Sequence, residues 1–468
     1  MIWCEIHRKG VDSKMDLNKK NVLVVGGGKS GIAAAGLLTK MGAKIILFDS
    51  KESVKPEELQ EKLPEGCTAD CYTGILPEEV EKTVEAVVLS PGVPIELPFV
   101  QQFTERKIPV LGEIELGYQM EKGRLIAITG TNGKTTTTTL VGEIMKAYCK
   151  QAFVVGNIGN PYTLEADRTT KDSVTVAEIS SFQLETIRDF KPTVSAILNI
   201  TPDHLNRHHT MENYAAVKES ISKNQSKAET CVLNYEDPYL SVFAGECPAT
   251  VVFFSSGHEL SEGYYQEGDY IVRKHNGCKE TILNIYRDMN LVGQCNVENV
   301  MAALAIADSM GVPRETSLEV IRSFHAVEHR IEYVAEKNGV IYYNDSKGTN
   351  PDAAIQGIKA MSRPTILIGG GYDKEIPFDA WVEAFGDKVK CLVLVGQTKE
   401  IIAECARKHG FINIRMADTF REAFDISVAE AKAGDAVLLS PACASWGMFK
   451  DYEERGRIFK EYVHALKE

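Results

Sequence analysis

Long apolar runs are missing from this 468-residue chain. No stretch approaches the roughly 18 residues needed to span a bilayer, so membrane insertion is not expected. The opening residues, MIWCEIHRKGVDSK, also lack the apolar core of a secretory leader. Basic residues are in deficit: 52 Lys and Arg face 65 Asp and Glu, a net charge of −13. Neutralising a phosphate backbone needs concentrated Lys and Arg, so a nucleic-acid partner is not expected. Mononucleotides remain open, because backbone amides and a few local cations hold them. A cysteine framework is absent as well. Eleven cysteines scatter from Cys4 to Cys443 without a C-x-x-C pair, and Cys67 and Cys71 have no Cys or His partners at zinc-ligand spacing. Reduced, mostly buried thiols and a cytoplasmic home follow as expectations.

What is present is α/β alternation. The length suggests three domains, and three series of continuous apolar strands are legible, as expected for parallel sheets covered on both faces. The first holds NVLVVG, a helix from Gly31 to about Lys40, KIILFD, an acidic helical stretch and EAVVLSPGVP, and ends near PVLGEIEL. The second runs RLIAITG, AFVVGN, SVTVAEIS, VSAILNI and TCVLNY, with a more β-rich insertion around Thr250 to Ile285. It closes on a helix in which Val297, Val300, Met301, Leu304, Ile306 and Ala307 recur at helical spacing. The third opens on a hairpin turned at Asn338-Gly339 and continues through TILIGGG, VKCLVLVG, DAVLLSP and a charged terminal helix. The expected fold is three consecutive α/β domains with mostly parallel sheets: Rossmann-like at 1–112, P-loop ATPase-like at 113–326 and Rossmann-like at 327–468. Residues 1–14 fit no element and are expected to be a disordered extension or to reflect an upstream start.

Two glycine loops carry Gly-Lys followed by a hydroxyl residue. In the first, Gly26, Gly28 and Gly31 match G-x-G-x-x-G between strand and helix, and Asp49 ends the next strand. Those are features of a Rossmann phosphate turn. A Walker loop would need glycine where Leu23 stands. The second loop has Ile128 at that position and is a compact G-x-x-G-K-T from Gly130 to Thr135. Its mechanics are still those of an ATP loop: amides from Gly130, Thr131, Asn132 and Gly133 face phosphate, Lys134 brings charge, and Thr135 offers Mg²⁺ a hydroxyl. Five consecutive threonines, Thr135 to Thr139, are poor helix formers unless the first turns do chemistry, so Thr136 and Thr137 join the candidate nucleotide set.

GTNGKTT, AEISSFQLE and NITPDHLNRH, in that order, resemble the ATP-dependent Mur ligases, which join amino acids to the cytoplasmic peptidoglycan precursor. NDSKGTNPDAA and SPACASW are similar to the branch of that family that adds D-glutamate to UDP-N-acetylmuramoyl-L-alanine, and the DNPR signature of the diaminopimelate-adding branch is absent. The resemblance spans nearly the whole chain after residue 15. It implies an amide-forming ligase using ATP and two Mg²⁺, with an acyl-phosphate intermediate, and a monomer is the expected state.

The resemblance also implies roles. Glu178 would bind Mg²⁺, a hard cation suited by carboxylate oxygen. Its bland alternative is a surface Glu. His204 would sit near a second Mg²⁺ and the activated carboxylate, with His208 and His209 expected to be merely solvated. Lys218 would be carbamylated, although a lysine on an amphipathic helix is ordinarily a solvated charge. Asn296 and Asn299 would read adenine, while helix capping by Asn296 competes. Arg330 would reach the ATP phosphates and Asp345 the ribose; a hairpin-edge salt bridge between them is the alternative. Thr349, Lys374, Ser445 and Tyr452 would hold D-glutamate, with Lys347 near the reacting groups. Ser30, Asp49, Ser90 and Gly92 would anchor the uridine nucleotide, and Asn157 and Ser180 would contact the same substrate. Cys443 has no nearby histidine to make it a nucleophile and is expected to be buried. Rival readings are a sibling ligase adding another amino acid, an NAD-dependent oxidoreductase built on the first loop, and a non-enzymatic nucleotide switch.

Overall fold

Continuous Val, Ile and Leu runs become parallel strands with both faces buried. The computed structural model describes residues 15–374 and 376–467; the expected extension at 1–14 lies outside them. The strands of the first sheet are β1 (Asn21–Val25), β2 (Lys44–Asp49), β3 (Ala69–Thr73), β4 (Ala86–Leu89) and β5 (Val110–Gly112), in the order β3-β2-β1-β4-β5. The second sheet has nine strands: β6 (Arg124–Thr129), β7 (Ala152–Gly156), β8 (Val174–Glu178), β9 (Val194–Ile197), β10 (Thr230–Asn234), β11 (Thr250–Ser255), β12 (Gly263–Glu267), β13 (Tyr270–His275) and β14 (Cys278–Asn284). Their order is β14-β13-β12-β11-β10-β9-β6-β8-β7. The third sheet, β15 (Glu332–Lys337), β16 (Val340–Asn344), β17 (Thr365–Gly369), β18 (Val389–Leu394), β19 (Ile414–Met416) and β20 (Ala436–Leu439), runs β15-β16-β20-β17-β18-β19. Three α/β domains with mostly parallel sheets are therefore present.

By contact density the chain divides into two compact units. One holds the residues up to Lys134 together with Met145–Leu233 and Asp237–Val251. It contains the first sheet and the parallel set β6 to β9, in which Ile128 of β6 pairs Glu178 of β8. Its first helix, Lys29–Lys40, starts two residues earlier than expected, directly after Gly28. The polar strand β3 was not legible, because ADCYT carries too few apolar residues to signal a strand.

The other unit holds Thr135–Ile144, Asn234–Glu236 and everything from Val252. Here β12, β13 and β14 pair antiparallel, matching the expected β-rich insertion. The helix Gln294–Ser309 is buried on nearly every side, which explains why its apolar residues extend beyond one stripe. The β15–β16 hairpin turns at Asn338 (φ 52°) and Gly339 (φ 75°) with Lys337 opposite Val340, the two-residue geometry whose twist matches its strands. The three-residue β19 was missed for its shortness.

Candidate functional site

In the first unit the chain leaves β6 at Gly130, whose φ of +150° suits glycine; a Cβ there would lie 3.0 Å from the Leu198 side chain. Gly133 (φ +82°) turns the loop into the helix Lys134–Tyr148. The loop is fastened from behind. The amide of Asn132 donates to Asn199 Oδ1 at 2.8 Å, and Asn199 Nδ2 donates to the Asn132 carbonyl at 3.1 Å. The Thr131 hydroxyl donates to the Thr201 carbonyl at 3.1 Å and lies 3.2 Å from the Tyr214 hydroxyl. Neither Asn199 nor Tyr214 was singled out from sequence, although Asn199 stands at the start of the NITPDH motif.

Two amines converge on this loop. Lys134 Nζ donates to the carbonyls of Gly130 and Thr131, each at 2.8 Å, and Lys218 Nζ donates to the Gly130 carbonyl at 2.8 Å. Lys218 is only 1% exposed, so the solvated reading is overturned. Burial, then the Lys134 charge, holds its amine well below the usual lysine range. The Tyr214 ring lies 4.7 Å from Lys218 Nζ.

Glu178 ends β8 one strand from the loop's own strand, with its residue 1% exposed, so it is not a surface Glu. Asn157 Nδ2 donates to its Oε1 at 2.7 Å, while its Oε2 is buried without a hydrogen-bond partner among the described residues. A buried carboxylate oxygen with no donor is an uncommon feature and fits a cation ligand. Asn157, expected on the substrate, thus leans on Glu178. Ser180 caps the short helix Ser181–Leu184, its hydroxyl accepting from Gln183 N–H.

His204 (φ 53°) places its ring 3.4 Å from the Asp203 carboxylate and 4.8 Å from the Phe182 ring. His209 is exposed beside Glu96, as expected. His208 is not solvated: it is buried, 3.0 Å from the Ser181 hydroxyl, and stacked on Phe182. Burial, with the neighbouring His204 and Arg207, pushes it down to about 4, so it is neutral near pH 7. Its sequence context is polar; only the tertiary fold encloses it.

The first glycine loop behaves as its spacing predicts. A Cβ on Gly31 would meet the Gly26 carbonyl at 1.8 Å, the close strand–helix approach that demands glycine. Asp49 Oδ2 accepts the Gly27 N–H at 2.8 Å, and the Ser90 hydroxyl lies 3.3 Å from the Gly26 carbonyl. Ser30 is half-buried in the first helical turn, and Gly92 borders open space.

In the second unit the threonine helix turn and the third domain meet. Arg330 Nη2 donates to the Thr135 hydroxyl at 2.8 Å, and the Thr137 hydroxyl donates to Asn299 Oδ1 at 3.2 Å. Asn299 Nδ2 in turn donates to Asn296 Oδ1 at 3.1 Å, so both asparagines share one buried face. Asn296 is not the cap; Gly293 is, and Asn296 Nδ2 donates to the Val292 carbonyl. Asp345 takes its hydrogen bonds from Ile331 N–H (3.2 Å) and the Ser440 hydroxyl (2.7 Å), in place of the suggested salt bridge. Burial raises its carboxyl to about 7. Lys347 Nζ donates to the Tyr452 hydroxyl at 2.8 Å. Arg455, missed from sequence, is 1% exposed and donates to the Ser346 and Cys443 carbonyls, tying the terminal helix Tyr452–His464 to these loops. Ser445 is buried, Lys374 Nζ lies 5.2 Å from the exposed Trp446 ring, and Thr349 N–H donates to the Lys347 carbonyl. Cys443 is buried and its thiol is pushed up to about 11, which suits packing and not nucleophilic attack.

A compact glycine loop at the end of a parallel strand, a second glycine turn earlier in the chain, and an arginine hydrogen-bonded to a threonine in the helix that follows the loop are together features of a multidomain α/β nucleotide-binding class. Three family models match along the chain: a Mur ligase MurD-like N-terminal domain at 20–112, a Mur ligase middle domain at 128–307 and a Mur ligase glutamate ligase domain at 329–443. The chain belongs to the Mur ligase family. It is 56% identical over 454 residues to the UDP-N-acetylmuramoylalanine–D-glutamate ligase of Lachnoclostridium phytofermentans, covering 97% of this chain and 100% of that protein. It is 58% identical over 452 residues to the same-named ligase of Lachnospira eligens, with the same coverage. Among solved structures, a UDP-N-acetylmuramate-alanine ligase from Thermotoga maritima superposes with a TM-score of 0.59 at 19% identity, covering 96% of this chain and 100% of that one, a likeness of fold. The oxidoreductase reading of the first loop falls, since that segment matches the MurD-like domain.

Proposed function

We propose that this chain is an ATP-dependent ligase that joins D-glutamate to UDP-N-acetylmuramoyl-L-alanine during cytoplasmic peptidoglycan precursor synthesis, acting as a monomer. The observation that carries the reading is the pairing of a phosphate loop with the partnerless buried oxygen of Glu178 at the adjacent strand end, in a chain whose relatives bear that ligase name.

A carboxylate resists attack by an amine until one oxygen becomes a leaving group. The alanine carboxylate takes the γ-phosphoryl of ATP to give an acyl phosphate and ADP. The D-glutamate amine then adds to the acyl carbon, phosphate departs, and the amine proton passes to solvent. Phosphoryl transfer depends on positioning and charge. Lys134 and the amides of Gly130 to Gly133 cradle the phosphates, and Arg330 adds charge from the third domain. Asn296 and Asn299 read the adenine edge, and Asp345 faces the ribose. Ser30, Asp49, Ser90, Gly92, Asn157 and Ser180 seat the muramoyl nucleotide, and Thr349, Lys374, Ser445 and Tyr452, with Lys347, hold D-glutamate. Glu178, Thr135 and His204 would hold Mg²⁺, which would supply charge to offset that of the phosphates. Burial lowers the proton affinity of the Lys218 amine and so favours the free lone pair that CO₂ requires, which supports carbamylation of Lys218; the product would place an anion where the lysine stands.

The test is phosphate release with UDP-N-acetylmuramoyl-L-alanine and a panel of D- and L-amino acids. D-Glutamate should be strongly preferred, and preference for another amino acid would overturn the assignment.

A further inference from the structure

Two short segments of the third domain, remote in role from the ligase chemistry, bring metal-ligating side chains together. The helix Asp379–Glu383 carries carboxylates at both ends, and the helix Lys399–Lys408 carries Cys405 one turn before His409. Asp379, Cys405 and His409 each offer one donor atom, and these three atoms all lie within 4.8 Å of one another. His409 Nε2 is 3.0 Å from Asp379 Oδ1, and the Cys405 thiol lies within 4.8 Å of both groups. On the far side of the imidazole, Nδ1 lies 3.7 Å from Glu383 Oε1. That is the order in which a metal-binding histidine is usually oriented: one nitrogen toward the ion, the other toward a carboxylate behind it.

The backbone holds these groups in place. Gly410 (φ +82°) ends the helix with its N–H on the Arg407 carbonyl and the Phe411 N–H on the Ala406 carbonyl, the paired closing bonds of a glycine-terminated helix. His409 is therefore fixed in the last turn. Phe411 packs edge-on against Phe385 at 5.2 Å, and Phe385 against Trp381 at 5.1 Å, so the segment bearing His409 is anchored to the one bearing Asp379 and Glu383. A plain surface ion pair needs only Asp379 and His409; it accounts for neither the thiol beside them nor the carboxylate behind the ring.

We propose that Asp379, Cys405 and His409 form a site for a zinc-class divalent ion, with Glu383 orienting the histidine. Thiolate, imidazole and carboxylate are the donor types that such ions take, in contrast to the all-oxygen preference of Mg²⁺. Water completes the coordination on the exposed side. Binding converts the Cys405 thiol to a thiolate, with its proton released to solvent and no change in oxidation state.

Co²⁺ serves as the optical probe, added to the reduced full chain in excess Mg²⁺. A thiolate-to-cobalt charge-transfer band should appear, saturate at one equivalent and be displaced by Zn²⁺. It should vanish in Cys405→Ser and in His409→Ala, and Glu383→Gln should weaken binding by roughly 10–100-fold. Phosphate release by each variant reports whether the fold is intact and should be unchanged. Absence of the band, or a band undiminished in Cys405→Ser when ligase activity is intact, would overturn the site.

Discussion

Replacing Asp345 with Asn should stabilise the folded chain toward alkaline pH even as it damages the ligase. The carboxyl is buried and, among the described residues, accepts from Ile331 N–H and the Ser440 hydroxyl; desolvation dominates and lifts it from 3.8 to about 7. At acid pH both folded and unfolded states carry the proton, and the stability associated with it is intact. As pH rises above the unfolded value the unfolded chain releases the proton first, so stability is lost progressively until the folded group ionises near 7. Three pH units correspond to about 4 kcal/mol, of which about 3 kcal/mol falls between about pH 5 and about pH 8. Asn keeps the shape, and its Oδ1 can still accept from Ile331, but it has no proton to lose. Urea unfolding followed by tryptophan fluorescence is the assay, since Trp381 and Trp446 lie in the same compact unit as Asp345. The native chain should lose about 3 kcal/mol more across that window than Asp345→Asn does, while phosphate release by the variant falls. Parallel pH dependences for the two proteins would refute the reasoning.

Glu178→Gln should leave thermal stability equal or higher, because it removes a buried charge with a partnerless oxygen, yet cut phosphate release by about 100-fold or more; thermal melts beside a turnover assay check both. Gly130→Ala should destabilise by roughly 1–3 kcal/mol and weaken ATP binding, since Ala at φ +150° is strained and its Cβ meets Leu198; intact affinity in a nucleotide titration would contradict this. Lys218→Met should fold well but lose turnover. Carbon-13 NMR with labelled bicarbonate should show one carbamate signal in the native protein that the variant lacks, and its absence from both would sink the carbamylation proposal.

How legible was all this in the sequence? The buried parallel strands were, because runs such as LVV and AVLL leave little choice, and so was the Asn338-Gly339 turn, which requires two positive φ angles. The polar β3 and the short β19 were not, because neighbouring strands and not local pattern hold them. The glycine loops could be separated by spacing alone. The burial of Lys218 and His208 could not be read from polar helix and loop contexts, since it arises from contacts with Gly130 and Phe182 far along the chain. Asn296 looked like a cap because the helix start was placed too late; Gly293 takes that position. Arg455 appeared to be one more charge in a charged helix, and its bonds to loop carbonyls appear only in three dimensions.

The bracing of the Gly130–Lys134 loop by Asn199, Thr201 and Tyr214 has a thermodynamic consequence. Fixing a backbone residue costs about 1–2 kcal/mol in entropy, so the five residues from Gly130 to Lys134 would together charge roughly 5–10 kcal/mol against nucleotide affinity if they ordered only on binding. Here folding has already absorbed that loss. Calorimetry should therefore find nucleotide association free of the large unfavourable entropy that accompanies loop ordering, and the interactions with phosphate are left available for the chemistry.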